Sequence, residues 1–216
     1  MVSARRPGRL AVVAGTGTDV GKTWVGAAVA RCLVRQGRSV AVRKPAQSAA
    51  PGSITDACVL AQASGETPDA VAWRDGTFDV ALAPPMAAEV TGRRAPLIDE
   101  LADWTAASWP AEPRDAGLVE LVGGVLSPHA PDGDGIDLTR RIRPDLVVLV
   151  AHAGLGTIND VRLSVAALRA VAAPVVVMLN RFDPSDDLHC RNREWLAGRC
   201  QLEVEVLVDG LAWRIC

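Results

Sequence analysis

Gly15-Thr16-Gly17-Thr18-Asp19-Val20-Gly21-Lys22-Thr23 follows an apolar run at 10–14 and leads at once into a helical pattern over 22–36 that closes at Gly37. An apolar strand, a glycine-rich loop and a helix start, in that order, make a phosphate-binding loop. Glycines let consecutive backbone N–H groups turn inward around a phosphate, and the helix N-terminus adds its partial positive charge. On this reading Gly17, Thr18, Asp19, Val20, Gly21, Lys22 and Thr23 hold a nucleoside triphosphate. Lys22 reaches its β- and γ-phosphates, and the Thr23 hydroxyl ligates Mg2+. The spacing is Gly-x5-Gly-Lys-Thr, with Thr16 where the general Gly-x4-Gly-Lys-Ser/Thr pattern has its first glycine.

Outward from the loop, apolar runs at 40–42, 118–119, 146–151 and 175–179 read as strands buried on both faces, with helical patterns over 54–64, 97–107 and 159–171 between them. Strands alternating with helices predict an α/β fold: a single-domain P-loop NTPase-type parallel sheet with helices on both faces, spanning 1–216, with 1–8 a flexible tail. The segment 66–96 is punctuated by Pro68, Pro84, Pro85 and Pro96 and is expected to cover a sheet edge or a ligand. The stretch 127–136 reads as a loop.

With 216 residues, 49% of them hydrophobic, the chain can bury one substantial core. A net charge of −2, from 23 basic and 25 acidic residues, leaves no global positive field for a polyanion, which argues against nucleic acid as a partner. Arg5, Arg6 and Arg9 precede an apolar run too short for a signal peptide, and no window approaches ~18 uninterrupted apolar residues, so the expectation is a cytoplasmic protein without a membrane span. Cys32, Cys58, Cys190, Cys200 and Cys216 are scattered without a Cys-x-x-Cys pair and read as reduced thiols, core filler plus one at the terminus.

Of the 23 basic residues only Lys22 and Lys44 are lysines, which suggests that each needs a compact ammonium that a planar guanidinium cannot replace. Lys44 follows a strand and precedes Pro45, so the chain leaves in an extended direction and the ammonium is aimed near the crevice that holds Lys22. The plainer reading is a solvated lysine at a strand end. Thr23, Asp56 and Glu120 supply a hydroxyl and two carboxylates, the hard oxygens that Mg2+ takes. Asp56 has an alternative as a first-turn acid favoured by a helix dipole, whereas Glu120 stands where an apolar strand gives way to a loop, the place where open α/β sheets bind ligands. His129, His152 and His189 are isolated, and no metal role is assigned to them.

The loop Gly15 to Thr23 resembles the signature of the dethiobiotin synthetase family. Further matches follow in order: Lys44-Pro45-Ala46-Gln47-Ser48, Asp56, Glu120 with Gly123-Gly124, Leu155-Gly156-Thr157-Ile158-Asn159, and Asn180. The resemblance runs from about residue 10 to Phe182. It implies a cytoplasmic, homodimeric, ATP- and Mg2+-dependent ligase of biotin biosynthesis that carboxylates 7,8-diaminopelargonic acid with CO2. The amine is captured as a carbamate, ATP phosphorylates the carbamate oxygen to a carbamic-phosphoric anhydride, and the neighbouring amine closes the ring with loss of phosphate. No covalent enzyme intermediate is required. The resemblance assigns Lys22 and Lys44 to the γ-phosphoryl and carbamate oxygens, and Thr18, Asp19 and Ser48 to the amino and carbamate groups. Asn180 corresponds to the adenine reader. Gly156, Thr157 and Asn159 correspond to a helix start that holds the substrate carboxylate across the dimer interface, with Trp195 flanking it.

Two departures stand out. Ser48-Ala49 replaces the family's Ser/Thr-Gly, and Glu120-Leu121-Val122-Gly123-Gly124 replaces Glu-Gly-Ala-Gly-Gly, so the latter loop is expected to approach the substrate differently because Leu and Val resist positive φ. A diverged paralogue with altered or lost substrate is therefore the alternative. An amidoligase needs a glutaminase domain for which 216 residues leave no room. A regulatory or partition-type P-loop ATPase lacks support, since the extra lysine at the loop's start is missing.

Overall fold

Strand β1 (Arg9–Gly15) is buried along six of its seven residues, and its side chains alternate between two apolar clusters. Ala11 and Val13 enter one, Leu10, Val12 and Ala14 the other. Such a strand is stable only with cover on both faces, and the computed structural model, which describes residues 6–215, supplies it.

After β1 come α1 (Lys22–Arg35), β2 (Val40–Arg43), the two-residue β3 (Gln47–Ser48), α2 (Asp56–Ser64), the short α3 (Pro68–Val71), β4 (Thr77–Phe78) and α4 (Pro84–Thr91). The second half carries α5 (Ile98–Ala107), β5 (Ala116–Glu120), the hairpin β6 (Pro128–Ala130) and β7 (Gly133–Asp134), α6 (Gly135–Ile142), β8 (Leu146–His152), α7 (Thr157–Leu168), β9 (Val175–Asn180), α8 (Asp187–Glu194), β10 (Glu203–Glu205) and α9 (Val208–Ile215). The main sheet has six strands in the order β10-β9-β8-β1-β5-β2, and every pairing in it is parallel. Residues of α1, α2 and α9 pack on one face, those of α5, α6 and α7 on the other.

The five expected strands and four long helices are all present. Several elements lie outside the sequence reading, among them β6, β7, α6, α8, β10 and α9. The stretch expected as a loop at 127–136 holds the β6–β7 hairpin and the start of α6, whose Gly/Pro/Asp-rich beginning is a turn followed by a helix cap. The Asp134 side chain accepts hydrogen bonds from the N–H groups of Ile136 and Asp137. β10 is a short edge strand with two glutamates in three residues, too polar to register as apolar. α9 lays Leu211, Ala212 and Ile215 against the α1 side of the sheet.

The expected tail is tied down where it is described. Arg6 pairs with Asp145 at 2.9 Å and the Gly8 N–H donates to the Arg114 carbonyl. Residues 1–5, including Arg5, and Cys216 lie outside the described residues. Cys32 is buried as core filler, but Cys58 is exposed, so that reading fails there. No helix among the described residues is long and apolar enough to cross a membrane.

Candidate active site

The C-terminal ends of β1, β2, β5 and β9 lie at the same edge of the sheet, because all run parallel, and each leads into one piece of a cavity of about 600 Å3. Thr18, Asp19, Gly21, Lys22 and Thr23 form one wall. Lys44, Ser48 and Asp56 form the facing one, and Ala81 to Pro84 close a third side, so the proline-punctuated segment does lie against the cavity.

Gly21 caps α1 at φ 97°, a left-handed conformation that glycine adopts without strain. Neither a capping side chain nor an acid occupies the first turn of α1. Its leading N–H groups are therefore left for an anion in the cavity. Asp19 also stands at positive φ, 59°, which an aspartate tolerates. The Lys22 ammonium donates to the Gly17 carbonyl at 2.8 Å. Burial, then the like charge of Lys44, push the Lys22 pKa down to about 8 against the pull of Glu120, Asp56 and Asp19. A polyanion in the loop would favour the charged form further.

Lys44 is only 1% exposed. Its ammonium donates to Glu120 Oε1 at 2.6 Å, Asp56 Oδ2 at 2.9 Å and the Leu121 carbonyl at 3.1 Å, which uses all three of its protons. Burial works against this charge, but Glu120 and then Asp56 overcome it and hold the Lys44 pKa above its ordinary value. The solvated-lysine reading is thus excluded. Burial likewise pushes Asp56 up, yet the Lys44 charge outweighs it and the Asp56 carboxyl lies below its usual range. Asp56 is the first residue of α2, but its carboxylate faces Thr23 and Lys44, so helix-dipole stabilisation does not exhaust its role.

The Thr23 hydroxyl lies 2.9 Å from Asp56 Oδ1 and 2.8 Å from Glu120 Oε1. One hydroxyl carries one proton and can serve only one of these acceptors at a time. Glu120 Oε2 is buried with no hydrogen-bond partner, and burial raises the Glu120 pKa although Lys44 opposes it. Three hard oxygens with an unmet buried acceptor fit a divalent cation such as Mg2+.

The departure at 120–124 turns out to cost little. Of these residues only Gly123 takes positive φ, 57°, and Leu121 simply fills the core. A Cβ at Gly124 would come 3.1 Å from the Thr16 carbonyl, so this loop packs directly on the phosphate loop.

Sequence reasoning passed over the residue that shapes that turn. His129 is buried; its Nε2 accepts from the Val122 N–H at 3.0 Å, while Nδ1 lies 2.9 Å from the Ser127 carbonyl. Those partners select the tautomer protonated on Nδ1. Ser127 Oγ in turn accepts from the Gly124 N–H at 2.8 Å. A lone histidine carries no spacing signal, and only its pairing with the loop identifies it. Burial, followed by the charges of Lys44 and Lys22, lowers its pKa to about 4, although the Ser127 carbonyl opposes this.

Because the folded His129 pKa lies below the unfolded value near 6.5, the unfolded chain binds the extra proton first as pH falls. Stability is then lost from pH 6.5 down to about 4, by about 2–3 kcal/mol between pH 7 and 4.5. In urea unfolding, His129→Gln, which keeps an acceptor and a donor, should flatten that loss. His129→Leu should cost about 1–3 kcal/mol at pH 7 through the orphaned Val122 N–H. Identical pH profiles for the wild type and His129→Gln would remove the imidazole from this account.

Not every expected residue joins this cavity. Asn180, ending β9, donates from Nδ2 to the Val20 carbonyl at 2.9 Å and lines an adjoining groove of about 390 Å3 with Trp24, Phe182 and Leu207. Ser48 Oγ donates to the Leu82 carbonyl at the cavity's edge. Gly156, Thr157 and Asn159 begin α7, away from the cavity's wall; Asn159 instead lines a separate groove of about 640 Å3 with Trp195.

The AAA domain family AAA_26 matches residues 9–205 of the chain. The chain is 37% identical over 183 residues to the ATP-dependent dethiobiotin synthetase BioD of Frankia casuarinae, a match spanning 83% of this chain and 74% of that protein. To the protein of the same name from Anaeromyxobacter dehalogenans it is 38% identical over 177 residues, 81% of this chain and 78% of that one. Among solved structures, the signal recognition particle receptor FtsY of Elizabethkingia anophelis aligns with a TM-score of 0.55 at 12% identity, over 94% of this chain and 59% of that one. At that identity the likeness bears on the fold alone.

Proposed function

This chain belongs to the dethiobiotin synthetase family, and on that premise we propose that it uses ATP and Mg2+ to carboxylate 7,8-diaminopelargonic acid with CO2 and close the ring of dethiobiotin. The observation that carries the reading is the convergence of four separate segments beside the phosphate loop, where Thr23 and Lys44 each lie 2.6–2.9 Å from both Asp56 and Glu120.

Thr23, Asp56 and Glu120 would hold Mg2+, and the loop N–H groups with Lys22 would hold the phosphates. Bound ATP supplies the phosphoryl group that activates the carbamate oxygen. Lys44, fixed by three acceptors, presents a positive charge whose position needs no reorganisation during the reaction. Thr18, Asp19 and Ser48 line the cavity's wall, which supports a contact of theirs with the amino and carbamate groups. Work of this kind is positioning and charge neutralisation. Asn180 stands in the neighbouring groove where an adenine would extend.

Gly156, Thr157 and Asn159 reach a substrate only if a second copy of the chain brings them. Leu155, Leu163 and Trp195 expose apolar surface beside them, 92%, 65% and 50% accessible, which supports a homodimer formed on this face. The diverged-paralogue alternative loses its main support, because the loop after Glu120 keeps its only positive φ on a glycine.

The test is ADP release with diaminopelargonate, bicarbonate and Mg2+. Release that depends on the diamine is expected. Slow hydrolysis indifferent to the diamine would refute the carboxylase reading while leaving nucleotide binding intact.

A further inference from the structure

Arg181 is the first residue beyond β9 and stands at φ 56°, a left-handed conformation that residues with a long side chain seldom adopt. A strained backbone of this sort persists where its surroundings or a function demand it. The side chain is exposed, and none of the ion pairs among the described residues includes it.

Its location gives the strain a purpose. Two cavities meet at this point, the 600 Å3 one of the phosphate loop and the 390 Å3 groove of Asn180 and Trp24; Gly21 and Arg181 line both. A molecule with phosphates in the first and a base in the second must pass between these two residues. Lys22 and Lys44 line the first cavity, where the terminal phosphates would lie. We propose that Arg181 binds the phosphate nearest the sugar of a nucleotide, clamping it over Gly21. The inference rests on the nucleotide reading above.

A guanidinium suits this position because its planar fork offers parallel donors to two oxygens of one phosphate. The contact takes no account of the base, so it adds affinity for any nucleoside phosphate and leaves base choice to the groove. Left-handed backbone turns the chain sharply at the end of β9, where an ordinary strand exit would continue extended and away from the loop.

Calorimetric titration of wild type, Arg181→Gly and Arg181→Lys with AMP, Mg2+-ADP and adenosine tests this. Arg181→Gly should weaken AMP and ADP by a similar factor, ~10-fold or more, the scale of a lost charge-assisted pair. Adenosine affinity should change less than twofold, and Arg181→Lys should fall between. The Arg181→Gly melting temperature should not drop, because glycine accepts this φ without strain. AMP affinity within twofold of wild type, or an equal loss for adenosine, overturns the proposal. If Arg181→Gly fails to fold, the AMP-to-adenosine ratio of Arg181→Lys decides by the same criterion. A wild-type chain that binds no ADP would strike the nucleotide reading itself, and this inference with it.

Discussion

Replacing Lys44 by methionine should lower turnover by about 10³-fold or more, equivalent to at least about 4 kcal/mol of transition-state stabilisation. The same change should destabilise the fold by about 3–5 kcal/mol, since it strands a buried acid beside a second one. Removal of the ammonium leaves Glu120, 1% exposed, with no cation against Oε1 and no donor on Oε2. For a chain of this length the melting temperature would fall by roughly 10 °C. Lys44→Arg separates charge from shape. It keeps a cation, but a planar fork cannot place single donors on Glu120, Asp56 and the Leu121 carbonyl as a tetrahedral ammonium does. Its turnover should fall nearly as far as that of Lys44→Met while its stability falls less. Turnover by Lys44→Arg within tenfold of wild type would show that the charge alone matters and would refute the geometric argument.

The second large effect is expected at Glu120. Glu120→Gln preserves size and one acceptor but removes the charge that faces Thr23 and puts an amide NH2 where the unpartnered acceptor Oε2 stood. We expect turnover to drop by about 10²–10³-fold, on the scale of losing one preorganised group at a site of developing charge. The Mg2+ concentration for half-maximal activity should rise at least tenfold. Asp56→Asn should have a smaller effect of the same kind, because Asp56 is half-exposed and water can take its place. Stability is a separate readout. Burial raises the Glu120 pKa, so its amide is easier to bury, and Lys44 retains Asp56 and the Leu121 carbonyl. Glu120→Gln should therefore melt within a few degrees of wild type. An unchanged Mg2+ requirement would remove Glu120 from the metal site.

Most of the fold was legible because the strands of a parallel sheet, covered on both faces, announce themselves as apolar runs and the glycine loop fixes which end carries the chemistry. The site was legible where strand position and residue type coincide, as at Lys44 and Glu120. Less could be read where a role depends on a partner far along the chain. Lys44 and Glu120 are 76 residues apart in sequence, and nothing local states that one ammonium occupies both acids. His129 escaped because a buried imidazole has no spacing pattern, and Arg181 because a single positive φ leaves no trace in composition. The start of α6 was hidden by residues that serve turns and caps alike.

The contact between Asn180 and the phosphate loop bears on any attempt to re-engineer the preferred base. The Asn180 amide holds the Val20 carbonyl, and a Cβ at Gly21 would fall 2.0 Å from the same amide nitrogen. On the proposed nucleotide reading, grip on the phosphates and reading of the base are thus linked through one side chain, and a bulkier residue at position 180 would disturb the loop before it changed selectivity. Diversity is better introduced on the opposite bank, at the exposed Leu207.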